Sequence, residues 1–189
     1  MPRSTPFAMP TAMKITGRTS SITNAFVNAV IPTIKPTDQE VEYALHVLGL
    51  DQNDLRCAYC GDKSTEWDHL NPLVQRQRPT GYISEIANLV PSCGKCNQSK
   101  GSHSWKSWID GPARLSPKSR GVPSLQDKIA RLEAFEKWRR PTIVDFVAVV
   151  TPELWQKHRD NHKKVIYAMQ QSQETAEQIK TIVGKRERT

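Results

Sequence analysis

The chain has 189 residues, with Lys+Arg 27 against Asp+Glu 19, a formal charge of +8 and a sequence pI near 9.5. That length suits one domain with a small appended part, and there is no run of about 18 apolar residues to span a membrane. Four cysteines are too few for a disulfide scaffold of this size, and the basic surplus favours a polyanionic partner, nucleic acid first.

Residues 1–37 contain no acidic residue and five prolines, the composition of a flexible basic arm. Pro2, Pro6 and Pro10 would break the amphipathic helix of a transit peptide, and no signal-peptide apolar core is present, so a cytoplasmic location is expected. The apolar positions from Ile22 to Ile34 suit either a short helix or a packed strap. Thr37 and Glu40 have capping-box spacing, Val41, Ala44, Leu45 and Leu48 make one apolar face, and Gly49 is a stop, which together predict a helix. Gly111–Val122 is rich in Gly, Pro, Ser and Arg and reads as a linker. Leu125, Ile129, Leu132, Phe135 and Trp138 form a stripe that predicts a helix over 124–139, ended by Pro141. Thr142–Val150 reads as a short strand or a packed connector. Thr151 and Pro152 open a last helix running to about Val183. His158 and His162, four apart on that helix, read as surface histidines on a basic face. The expected organisation is a basic arm over 1–36, a core over 37–110, a linker over 111–123 and a helical region over 124–189.

The chemistry is concentrated between these helices. Cys57-x-x-Cys60 and Cys93-x-x-Cys96 use every cysteine in the chain. Each pair can place two thiolates on one tight turn, and two facing turns make a tetrahedral zinc site with no open position, hence a structural one. Two separate buried or redox pairs are the alternative. The gap of 32 residues between the knuckles is long enough to hold a folded element. Within it, Asp68-His69 reads as the end of a strand, with Pro72 just beyond. A neutral imidazole is a suitable base near neutral pH, and a carboxylate beside it suits a hard cation. Taken alone, the pair is also what a hydrogen-bonded structural histidine looks like. The second knuckle should open a helix with Asn97 and Lys100 on one face, followed by Gly101. Trp105 and Trp108 read as core anchors.

Taken together, Cys-x2-Cys, Trp67-Asp68-His69-x2-Pro72 and Asn88-Leu-Val-Pro-x-Cys93-x2-Cys96-Asn97-x2-Lys100-Gly101 resemble the zinc-containing HNH endonucleases, also called ββα-metal nucleases. The resemblance covers about residues 55–109. It implies an α+β fold, a ββα-metal core with a four-cysteine zinc knuckle pair, flanked here by helices. It implies that His69 is the general base and that Asp68 and Asn97 hold a catalytic Mg²⁺ or Mn²⁺. Asn88 would fix the loop, and Lys100 would contact a phosphate. Asn97 stands where the family usually has a final His, a variant also seen in the HNH domains of RNA-guided nucleases.

The expected activity is metal-dependent hydrolysis of DNA phosphodiester bonds, double-stranded DNA first, in a restriction or defence setting. Arg76 and Arg78, in the loop after the Asp-His strand, are the expected DNA contacts. Cutting both strands of a palindrome would call for a two-fold homodimer, for which the last helix offers a surface. A zinc nucleobase deaminase is excluded by the missing His-x-Glu. A non-catalytic zinc-stabilised DNA-binding module is the rival from another class.

Overall fold

The computed structural model describes residues 10–186; the expected arm is therefore described only from Pro10 onward. The described chain is α+β and divides into two compact units. One is built from residues 27–150, the other from the described residues up to Phe26 together with those from Thr151 on.

In the larger unit, α2 (Asp38–Leu48) begins on the expected capping box. The Thr37 hydroxyl accepts from Glu40 N–H, and the Glu40 carboxylate accepts from Thr37 N–H. Gly49 closes the helix in the left-handed conformation, at φ 64°. Its buried Ala44 and Leu48 join Leu132 and Phe135 of α5 (Leu125–Trp138) in one hydrophobic core. Tyr59, Leu70, Val90, Trp105, Trp108 and the four cysteines belong to the same core. The packing therefore departs from the expected boundaries, because α5 completes the core of the cysteine region instead of beginning a separate helical part. The expected linker is packed too, with Ser116 and Pro117 buried and the Ser116 hydroxyl bonded to Gly111 O at 2.7 Å.

The central motif is two strands and a helix. Strand β1 (Glu66–His69) pairs antiparallel with β4 (Leu89–Ser92), in the register Asp68↔Val90 and His69↔Leu89. Chain reversal at Cys93 leads directly into α3 (Gly94–Lys100), which packs on β1. Between the strands, β2 (Val74–Gln75) and β3 (Arg78–Pro79) form a small hairpin. Its two turn residues, Arg76 and Gln77, have φ of 50° and 62°, as a type I′ turn requires. The tryptophans lie on a separate short helix, α4 (Trp105–Ile109). Thr142–Val150 is a connector: Ile143 makes one bridge to Tyr82, and α6 (Phe146–Val149) follows.

In the smaller unit, α7 (Pro152–Arg186) is capped by Thr151 and meets the end of α1 (Thr19–Asn28) that lies in this unit. The undecided segment from Ile22 is thus helical at first, then a strap in the larger unit, where Thr33 pairs with Ser84. The two histidines are half-buried, not freely exposed. His158 Nε2 lies 3.0 Å from Phe26 O, and His162 Nε2 lies 3.0 Å from Thr23 Oγ1. The Phe26 ring packs on both. No described helix is long and apolar enough to cross a membrane.

Candidate active site and zinc centre

The four cysteine sulfurs lie within 4.8 Å of one another, all buried and none in a disulfide. Cys60 and Cys93 sulfurs are 3.7 Å apart. A Zn–S bond of about 2.3 Å places tetrahedral sulfurs about 3.8 Å apart, so the cluster is dimensioned for zinc. The knuckles meet because Ala58 N–H bonds to Pro91 O at 2.8 Å, tying the first to β4, while the second caps α3. Without a metal, hydrogen bonds from Cys60 and Cys96 pull the Cys57 thiol down to about 3. Arg120, in the expected linker, reads from sequence as one of several basic residues, but it packs against the cluster. Its Nη1 donates to the Cys96 sulfur at 3.3 Å and its Nη2 to Asp62 at 2.8 Å. A guanidinium there offsets part of the negative charge of four thiolates.

Asp68 and His69 are adjacent at the end of β1, where strand alternation stops. Asp68 is buried, and Glu66 is half-buried, on the side that meets α3. Its Oδ2 accepts from the Tyr59 hydroxyl at 2.6 Å and lies 3.2 Å from Lys100 Nζ. Burial pushes the Asp68 carboxyl up, against the pull of Lys100 and Tyr59. Burial likewise lowers the Lys100 ammonium, against the pull of Asp68. Lys100 therefore does not occupy the surface position expected of a phosphate contact. Its side chain is 0% exposed and neutralises a carboxylate, because the face of α3 that carries it packs on β1.

Removing one member of such a pair leaves the other charge uncompensated. Lys100→Met is expected to destabilise the larger unit by about 3–5 kcal/mol in denaturant unfolding. Adding Asp68→Asn should restore part of the loss. A single variant within 1 kcal/mol of wild type, on the order of ordinary surface changes, would contradict this assignment.

His69, the last residue of β1, is half-buried, and its Nε2 lies 2.5 Å from Ser84 Oγ. Burial and the nearby Lys100 charge lower the imidazole to about 4, so it is neutral near pH 7. Ser84 is itself held by the strap, through Ser84 N–H to Pro32 O and Ile34 N–H to Ser84 O. Asn88, fully buried, closes the loop after β1. Its Oδ1 accepts from Asn71 N–H at 2.8 Å and its Nδ2 donates to Asn71 O at 3.0 Å. Leu70 N–H bonds to Asn88 O at 2.8 Å, so Asn88 fixes the residues on either side of the chain bend that follows His69.

Asn97 is half-buried on α3, and its Nδ2 donates to Glu66 Oε2 at 2.5 Å. Asp68 and Asn97, with Glu66 against the Asn97 amide, thus bring carboxylate and amide oxygens to the junction of β1 and α3. This donor set suits a hard, oxygen-preferring ion of the Mg²⁺ or Mn²⁺ class. Glu66 was legible in principle, since a residue two before Asp68 on a strand shares its face. Arg76 and Arg78 stand exposed on the hairpin, apart from these contacts.

Residues 57–103 match the family model described as HNH endonuclease, a quarter of the chain. The match spans both knuckles, β1, the hairpin, β4 and α3. No curated protein and no solved structure matches the chain at a significant level.

Proposed function

We propose that the HNH domain of this chain is an active, metal-dependent endonuclease that hydrolyses phosphodiester bonds of double-stranded DNA. The observation that supports this reading is the β1–β4–α3 unit, in which a half-buried imidazole ends the strand whose Asp68 meets the helix carrying Asn97 and Lys100. A module that only bound DNA would need the cysteines and the basic surface, but not this constellation.

A phosphodiester repels nucleophiles with its negative charge, and its leaving group is an alkoxide. His69 takes the proton of the attacking water as its oxygen bonds to phosphorus; the P–O3′ bond breaks, and the departing 3′ oxygen takes a proton from solvent. With Ser84 on Nε2, the Nδ1 atom is the one directed to the water. Asp68 and Asn97 would hold the divalent ion, which would supply charge neutralisation at the phosphate and the leaving oxygen. Asn88 keeps the bend after His69 from shifting, and Lys100 holds Asp68 in place instead of touching DNA. The resulting ends are 5′-phosphate and 3′-hydroxyl. Arg76 and Arg78 extend from the exposed hairpin to the DNA, where Arg side chains can meet phosphates or guanine edges.

Supercoiled plasmid incubated with zinc-loaded protein should be nicked or linearised when Mg²⁺ or Mn²⁺ is added, and remain intact in brief EDTA treatment that leaves the zinc in place. Discrete products would place the protein with site-specific restriction-type enzymes, and a smear with non-specific defence nucleases. DNA that is bound but never cut, whether plasmid, genomic or base-modified, would instead favour the non-catalytic module.

A further inference from the structure

We infer that Glu66 is a positioning residue of the divalent-ion site: its carboxylate orients the Asn97 amide so that Oδ1 faces the ion. This rests on the metal-dependent reading above and adds a residue to it. The amide has a donor end and an acceptor end, and an ionised carboxylate can only accept. Glu66 Oε2, 2.5 Å from Asn97, therefore faces the Nδ2 end and leaves Oδ1 as the free oxygen.

Three further features hold this arrangement. Glu66 and Asp68 project from the same face of β1, the face on which α3 packs. Gly94, the first residue of α3, provides the space. A Cβ there would come within 2.8 Å of Glu66 Oε1, so the bare backbone is what lets the carboxylate lie against the helix. Asp68 is already engaged through Oδ2 by Tyr59 and Lys100, which fix it without any help from Glu66. Asn97 has no comparable anchor besides Glu66 among the described contacts. A carboxylate behind a neutral ligand fixes its orientation and raises its donor strength, as carboxylates do behind metal-bound histidines.

The test is a Mn²⁺ titration of the zinc-loaded full chain, read by electron paramagnetic resonance. It compares wild type, Glu66→Ala, Glu66→Gln, Asn97→Ala and the double variant Glu66→Ala/Asn97→Ala. Glu66→Ala should weaken Mn²⁺ binding about 10-fold. Glu66→Gln keeps an oxygen that accepts from Nδ2 and should recover most of that loss. The double variant should bind no more weakly than Asn97→Ala alone, because Glu66 acts through Asn97. Zinc content matching wild type in each variant distinguishes these effects from misfolding. Wild-type affinity in Glu66→Ala, no recovery in Glu66→Gln, or losses that multiply in the double variant would each overturn the inference. If Asn97→Ala weakens binding and Glu66→Ala does not, only the role of Glu66 fails. If Asn97→Ala itself leaves Mn²⁺ binding unchanged, the ion site fails and the inference with it.

Discussion

Replacing His69 with alanine should lower plasmid cleavage by about 10²–10⁴-fold, the range for loss of a general base. Zinc content, unfolding midpoint and DNA affinity should stay near wild type. The side chain is half-buried and its one side-chain partner among the described residues is Ser84, so truncation leaves no buried charge behind. The same residue should set the acid limb of the pH profile. A base works only when neutral. Burial first, and the Lys100 charge second, lower this imidazole to about 4. The neutral form is therefore present above that value and is lost as pH falls through it. Cleavage should hold level from about pH 8 down to about pH 5.5, where an unshifted imidazole near 6.5 would already be mostly protonated. Zinc content at each pH separates this limb from loss of the metal. A limb near 6.5, or His69→Ala cleaving at the wild-type rate, would remove His69 from the role of base.

The second large effect is expected from the cysteines. Cys93→Ser, or stripping the metal with a strong chelator, should unfold the region around β1, β4 and α3. The cysteines belong to the same core as Tyr59, Trp108 and Phe135. Zinc binding by four thiolates is worth about 10–16 kcal/mol in small metal-dependent folds, as large as a domain's whole net stability. Helix α3 has 7 residues, well short of the roughly 12 at which an isolated helix becomes marginal. It depends on Cys93 and Cys96 to hold it against β1, and it carries Asn97. Loss of metal should thus remove both cleavage and Mn²⁺ binding, and red-shift the emission of buried Trp105 and Trp108. Reducing agent alone should change nothing, since no disulfide is present. A metal-free chain that unfolds cooperatively at the wild-type midpoint would show that the sulfurs act only as small buried side chains.

Much of this protein was legible in local sequence. The capping box at Thr37 and Glu40, the stop at Gly49 and the stripe from Leu125 to Trp138 each act within a few residues of themselves. Each formed where expected. Two Cys-x-x-Cys turns have few uses for four thiols, and the knuckles did converge. The strand ending at His69 and the helix opening after Cys93 followed from alternation, Pro72 and knuckle geometry.

Tertiary structure decided what each of those faces meets. Periodicity placed Lys100 and Asn97 on one helical face, but only the packing of α3 on β1 turned Lys100 inward to Asp68 and Asn97 onto Glu66. Ser84 and His69 stand 15 residues apart, and Arg120 and Cys96 stand 24 apart, joined by a strap and by a packed turn that read as loop. The α5 stripe announced a buried face without naming the core that buries it, and that core was the one around the cysteines. Residue spacing constrains the direction of a side chain because backbone geometry repeats every few residues. What lies in that direction depends on chain segments tens of residues away, and on whether a charge is better satisfied by water or by a buried partner. For Lys100, that choice separated a residue expected at the DNA from one that holds the site together.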